Sequence, residues 1–233
     1  MDLKARYCGF IFDADNTLFD FDHCEAEALR EALSPILAAT PEMIDAYRRI
    51  NGTLWQQYEK RQTNAENVKV ERFRLLLEQV GLRADAEELS SRYLSSLARK
   101  HYLMPHAVTI LEYLHRRAML ALVTNGLTFV QKSRIARAEL EVFFNEVLIS
   151  EEIGLAKPNA EIFLLAARRL DLRPHDILVV GDSPFSDIQG AHAAGMDACW
   201  FSPTPRGYPR ECTPPEMVVS DLLDLRAHAS PVS

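Results

Sequence analysis

The 233-residue chain has no basic block, no internal repeat, no low-complexity tract and no apolar run near the ~18 residues that cross a membrane. Lysine and arginine total 26 against 33 acidic residues, a net charge of −7. A chain of that sign offers no footing for a nucleic-acid polymer or an anionic membrane, so neither is an expected partner. Cysteines are few: Cys8, Cys24, Cys199 and Cys212 form no C-x-x-C pair and fit no zinc spacing. Cys8 and Cys199 lie in apolar runs and are expected in the core, which points to a reducing compartment. The amino terminus lacks the basic segment, apolar run and small-residue cleavage site of a secretory signal, so the expected location is cytoplasmic. Hydrophobic residues at 48% and charged residues at 25% exclude wholesale disorder, a fibre and a coiled coil. An anionic ligand must then be neutralised locally, by a metal, a lysine or a helix N-terminus.

Short apolar runs, each too short for a helix, recur at Tyr7–Phe12, Met119–Val123, Val147–Ile149, Ile177–Val180 and Ala198–Phe201. They read as strands buried on both faces. Helical patterns over Pro105–Arg117, Leu127–Ala138, Pro158–Leu170 and Phe185–Ala194 separate the later ones, and strands alternating with helices predict a covered parallel sheet. Residues 23–103 break this rhythm and contain no strand-like run. Thr40-Pro41-Glu42 reads as a helix start and Thr63-Asn64-Ala65-Glu66 as a capping box. Apolar positions then recur at helical spacing up to Gly81, and a last helix is expected over Ala84–Lys100. Five of the twelve prolines fall between Ser202 and Pro215, which reads as a loop.

Four polar signals sit at strand ends or in loops near them, where open parallel sheets place ligands. Asp13-Ala14-Asp15-Asn16-Thr17 follows the first strand. Its two acids are either a solvated turn or a pair that a hard divalent cation relieves of mutual repulsion. Thr124-Asn125-Gly126 offers a hydroxyl and backbone N–H groups before a helix, as a cap or an anion cradle. Lys157 precedes a helix start, where a cation is unfavourable unless an anion or carboxylate is near. Gly181-Asp182-Ser183-Pro184-Phe185-Ser186-Asp187 ends the fourth strand with two acids, of which Asp182 can ligate a metal and Asp187 can orient its neighbours.

In this order the signals resemble the haloacid dehalogenase superfamily: D-x-D-x-T at Asp13, Asp15 and Thr17, a strand-end Thr at Thr124, a lysine at Lys157, and G-D-x(3,4)-D at Gly181, Asp182 and Asp187. The resemblance covers nearly the whole chain. It implies an α/β fold, a Rossmann-like parallel-sheet core over 1–21 and 104–233 with an inserted all-α cap domain over 22–103. The stretches Phe12–Phe19, Asn51–Trp55 and Ile149–Asn159 look like the bacterial YjjG-type pyrimidine 5′-nucleotidases.

The resemblance further implies a Mg²⁺-dependent phosphomonoester hydrolase working through an aspartyl phosphate, with a pyrimidine nucleoside 5′-monophosphate as substrate. Asp13 is the nucleophile, and Asp15 is the acid and base. Asp13, the Asp15 backbone carbonyl and Asp182 hold Mg²⁺. Lys157, Thr124 and the N–H groups of Asn125 and Gly126 bind the phosphate, and Thr17, Ser183 and Asp187 orient these groups. Haloacid-processing members lack an acid at the position of Asp15, which favours phosphoryl transfer here. Phe19, Trp55 and Tyr58 are candidate substrate contacts, with packing as the alternative: Trp55 and Tyr58 share a helical face on which a base could stack, and Phe19 and Phe21 line the entrance or support a hinge. A phosphatase for phosphoglycolate or a sugar phosphate, a phosphomutase and a Mg²⁺- and phosphate-binding module are the rival readings. A monomer or homodimer is expected.

Overall fold

The computed structural model describes residues 7–229; the expected core segments 1–6 and 230–233 lie outside them. Six parallel strands form one sheet in the order β3-β2-β1-β4-β5-β6. They are β1 (Gly9–Phe12), β2 (Met119–Thr124), β3 (Glu146–Ile149), β4 (Ile177–Gly181), β5 (Asp197–Phe201) and β6 (Met217–Val219). Alternation explains why the central runs are apolar throughout: successive side chains face opposite sides, and both sides are covered. Phe10, Phe12, Leu120, Leu122, Leu178 and Val180 enter one core layer with α5 (Ala107–His115). Ile11, Ala121, Val123, Ile177 and Val179 enter the other with α8 (Ala160–Arg169) and α9 (Gln189–Ala193). This is the Rossmann-type strand order, whose switch point lies beside β1 at the carboxyl edge.

Between β1 and α5 run four helices: α1 (Phe21–Leu33), α2 (Pro41–Glu59), α3 (Ala65–Val80) and α4 (Ala86–Leu97). They share a hydrophobic cluster of their own around Tyr47, Phe73 and Tyr93, whose ring centroids lie 5.3–5.4 Å apart. Thr40 caps α2 through Met43 N–H, and Gly81 ends α3 in the left-handed conformation at φ 68°. The chain leaves and re-enters the sheet layer side by side: Phe19 pairs with Leu103, Asp20 N–H donates to Tyr102 O at 3.0 Å, and Met104 N–H donates to Leu18 O at 2.8 Å. Among the described residues no helix is long and apolar enough to cross a membrane.

Several local expectations need correction. β6 follows the proline-rich stretch and has no counterpart in the sequence reading, because three residues are too few to show alternation. Asn64, not Thr63, caps α3, accepting from Asn67 N–H at 2.8 Å, while Glu66 pairs with Lys69 instead of closing a box. His106 takes φ 64° and starts α5 later than Pro105 suggests. The helix expected from Phe185 opens as one wide turn over Pro184–Ile188 before α9. Cys8 is exposed, not core: it lies one residue before β1, where the backbone is bonded to Asp176 O and Met119 N but the side chain faces out. Cys24, Cys199 and Cys212 are buried.

The helical block contains one buried polar chain. Asn51 Nδ2 donates to Glu25 Oε1 at 2.9 Å, Arg72 Nη1 donates to Asn51 Oδ1 at 3.2 Å, and Arg48 reaches the other Glu25 oxygen at 3.3 Å. Burial pushes the Glu25 carboxyl up to about 7, against the pull of Arg48 and Arg72 and with a push from Asp22. The folded state therefore holds a proton on Glu25 that the unfolded chain has already lost above its ordinary 4.5, so this group takes stability away as pH rises from there towards 7. Thermal melts from pH 5 to 8 should show Glu25→Gln gaining on the wild type as pH rises; parallel curves would contradict the assignment.

Candidate active site

The loop after β1 turns sharply through Asn16 at φ 60°, with Ala14 O accepting from Leu18 and Phe19 N–H. Register places Phe12 level with Leu122 and Val180, so Asp13 emerges between the ends of β2 and β4, its N–H donating to Val180 O at 2.9 Å. Asp13 is buried, 7% exposed, as is Lys157 at 2%. Lys157 Nζ donates to Asp13 Oδ1 at 2.5 Å and to Asp187 Oδ1 at 2.7 Å. Asp187 also accepts Ser183 N–H at 3.0 Å. It lies so close over Gly181 that a Cβ there would sit 2.3 Å from its carboxylate, which is why that strand ends in glycine.

Asp13, Asp182 and Asp187 each offer a carboxylate oxygen, all within 4.8 Å of one another. Burial pushes the Asp13 carboxyl well above its ordinary range, with Asp187, Asp182 and Asp15 adding to it and Lys157 opposing. Burial also pushes Asp182 up to about 6, although Arg206 reaches its Oδ2 at 3.2 Å from the rim. For Lys157 burial alone would lower the pKa; Asp13 and Asp187 outweigh it and keep the ammonium charged. Three acids thus face one buried ammonium, and the surplus negative charge on hard oxygen donors fits a divalent cation of the Mg²⁺ type. Asp187, expected only to orient its neighbours, belongs to this acidic cluster itself.

Asp15 is half-buried and both of its oxygens are engaged. Arg134 Nη1 donates to Oδ1 at 2.5 Å and Gln131 Nε2 donates to Oδ2 at 2.8 Å. Gln131 also donates to Thr124 Oγ1 at 3.0 Å. Both residues come from α6 (Thr128–Arg137) and are buried. Sequence reasoning missed them; the available signal was two polar residues three apart on a helix face that also carries Val130 and Ile135.

The Thr124-Asn125-Gly126 turn serves more than an anion cradle. The Asn125 side chain bonds Lys157 on both sides, donating to its carbonyl and accepting its N–H, each at 2.8 Å, and reaches Glu59 at 3.2 Å. Gly126 N–H, expected to face phosphate, instead donates to Ser150 Oγ at 3.3 Å; Ser150 in turn accepts Tyr58 OH at 3.2 Å. Thr17 is fully buried, its hydroxyl without a hydrogen-bond partner among the described residues.

A cavity of about 170 Å³ opens beside Asp15 and Gly126, between the sheet and the helical block, with Trp55, Glu59, Arg72 and Arg134 on its walls. Trp55 therefore stands where a substrate contact was expected. Tyr58 packs edge-on against Trp55 at 5.3 Å and does not line this cavity. Of the two readings of Phe19, the packing one fits its position: it is fully buried, with the Arg134 guanidinium carbon 4.3 Å from its ring centre. Phe21, read with Phe19 as an entrance or hinge residue, is on the cavity wall.

A parallel sheet in Rossmann order, carrying a buried lysine and an acidic cluster at its carboxyl edge, defines an α/β protein with its candidate site at the switch point. The sequence model of the haloacid dehalogenase-like hydrolases matches residues 9–195, and the chain belongs to that family. It is 32% identical to the pyrimidine 5′-nucleotidase YjjG of Escherichia coli over 92% of this chain and 94% of the relative. The pyrimidine 5′-nucleotidase PynA of Streptococcus pneumoniae is likewise 32% identical, over 94% of each. The magnesium-bound crystal structure of the HAD-hydrolase YfnB from Bacillus subtilis superposes with a TM-score of 0.87 at 32% identity, covering 94% of this chain and 97% of that one. Other similar proteins carry the names glyceraldehyde 3-phosphate phosphatase and phosphoserine phosphatase.

Removing the shared ammonium leaves Asp13 and Asp187 buried without a cation. Lys157→Met should lose ~3–5 kcal/mol of stability in EDTA at neutral pH, and added Mg²⁺ should recover part of it by binding the folded state. Chemical denaturation with and without metal checks both statements; an unchanged midpoint in EDTA would contradict the pairing.

Proposed function

We propose that the protein is a Mg²⁺-dependent phosphatase of pyrimidine nucleoside 5′-monophosphates, working through an aspartyl phosphate on Asp13. The observation that carries this reading is Asp13 itself, buried at the switch point and held 2.5 Å from the Lys157 ammonium. The nucleotidase names of the relatives and the cavity beside Asp15 support the substrate class.

In this mechanism Asp13 attacks phosphorus, an acyl phosphate forms, and the bond to the nucleoside oxygen breaks. Asp15 gives that oxygen its proton, then takes one from the water that releases inorganic phosphate, a contribution of about 10²–10⁴-fold. To do so it must exchange a bond to Arg134 or Gln131 for one to the leaving group. Lys157 and the Thr124 hydroxyl balance charge on the transferring group, together with the Asn125 backbone N–H. Gly126 N–H has to leave Ser150 to join them. Asp13, the Asp15 carbonyl and Asp182 would hold Mg²⁺, with Asp187 beside them, and the metal would neutralise the approach of a carboxylate to a phosphate dianion. The helical block acts as the cap that selects the leaving group. We place the enzyme in the cytoplasm, where nucleotides are made and used. The names of other relatives favour one second reading, a phosphatase of a triose phosphate or similar small ester.

Turnover of UMP, dUMP and dTMP should exceed that of phosphoglycolate and glyceraldehyde 3-phosphate by about tenfold or more in kcat/KM, stop in EDTA and return with Mg²⁺. Asp13→Asn should abolish turnover, and Asp15→Asn should lower it by about 10²–10⁴-fold, with both variants still melting cooperatively. Equal rates across the panel would defeat the nucleotide assignment, and near-normal turnover by Asp13→Asn would defeat the nucleophile.

A further inference from the structure

Trp55 and Glu59 line a second cavity as well, of about 520 Å³ against about 170 Å³ for the one beside Asp15. Its walls come from both units of the fold. One face of α2 lends it Trp55, Glu59 and Lys60, and the sheet unit lends it Pro158, Ser183 and Phe185. Pro158 and Ser183 directly follow Lys157 and Asp182 in the chain, so the cavity adjoins the buried ammonium and the acidic cluster.

Phe185 is the wall residue that the fold leaves without a role. It lies in the wide turn over Pro184–Ile188, where Ser186, Asp187 and Ile188 are all buried, yet it is 50% exposed. Among the described residues it belongs to none of the three hydrophobic clusters. A lone exposed aromatic is ordinary on a protein surface. This one stands three residues after Asp182, on the wall of a cavity to which the helical block adds Trp55.

Size and charge narrow what the cavity can take. Small-molecule pockets commonly measure ~300–1,000 Å³; the cavity beside Asp15 falls below that range and this one within it. Glu59 and Lys60 balance its charged lining, so a charged substituent would find no net countercharge. Two aromatic side chains offer their faces to a flat, uncharged ring.

We propose that Phe185 is a specificity-determining residue: its ring stacks on an uncharged planar ring of the leaving group, seated in this second cavity while the ester phosphate stays at Asp13 and Lys157. This placement rests on the nucleotide reading above and deepens it. It puts part of the base recognition on the sheet unit, in the turn that follows Asp182, instead of on the helical block alone.

The test compares UMP with ribose 5-phosphate, which carries the same sugar and phosphate without the base. In the wild type the ratio of their kcat/KM values should be well above one. Phe185→Ala should cut that ratio by about 5–150-fold, the size of one base–aromatic stack. The fall should come mainly through KM for UMP, with ribose 5-phosphate turned over within about twofold of the wild-type rate. Phe185→Tyr keeps the aromatic face and should hold the ratio within about threefold of the wild type. A ratio within about twofold of the wild type in Phe185→Ala overturns the inference. So does an equal fall for both esters, which would assign Phe185 to the placing of Asp182, and so does a fall in Phe185→Tyr as large as that in Phe185→Ala. Should Phe185→Ala fail to fold, Phe185→Leu removes the aromatic face and keeps apolar bulk; the same fall in ratio supports the inference, and an unchanged ratio overturns it. A wild-type ratio near one removes the nucleotide reading and the inference with it, whereas a high wild-type ratio that Phe185→Ala leaves intact sinks the inference alone.

Discussion

Lys157 lies buried between Asp13 and Asp187, 2.5 Å from one and 2.7 Å from the other, and that shared ammonium ties together segments far apart in the chain. Asp13 comes from the end of β1, Asp187 from the wide turn after β4, and the lysine from the loop before α8. Asn125, at the end of β2, clamps the lysine's backbone from both sides. The sheet order makes this possible, since β1 has β2 and β4 as its neighbours and their carboxyl ends open on the same side. Acids brought this close are tolerable only while a cation is shared among them. The same excess of negative charge that strains the site is what a divalent metal would relieve.

The helical block meets this centre through few polar bonds. Glu59 reaches Asn125, Tyr58 reaches Ser150, and Lys69 reaches Glu151. Partly exposed hydrogen bonds of this kind contribute about 0.5–1.5 kcal/mol each and exchange readily for water. Packing is stronger inside each unit, around Tyr47, Phe73 and Tyr93 in the helices and around the strands in the sheet. Leu127 and Val130, beside and on α6, also pack into the helical cluster, so opening the cavity exposes those apolar contacts as well as breaking the polar ones.

Much of the fold was legible in the sequence because buried parallel strands are apolar at every position. The runs at 7–12, 119–123, 147–149, 177–180 and 198–201 all stand out for that reason. β6 did not, being short and at the edge, with Val218 exposed. Asp13, Asp15, Thr124, Lys157 and Asp182 were legible because each follows such a run or opens the helix after one. Gln131, Arg134, Ser150 and Arg72 were not. They sit inside helices or at their starts, where a polar residue ordinarily faces water, and only the tertiary packing turns them inward. Phe19 was open to two readings, and its burial favours the one in which an aromatic beside a motif serves the loop's packing.

A covalent phosphate at Asp13 is tested most directly by trapping it. Acid quenching during steady turnover of UMP, followed by borohydride reduction and peptide mass spectrometry, converts an acyl phosphate into homoserine at the residue that carried it. Homoserine at position 13, formed only with substrate and Mg²⁺ present, is the predicted result. Homoserine at another acid, or at none while UMP is being consumed, would contradict it.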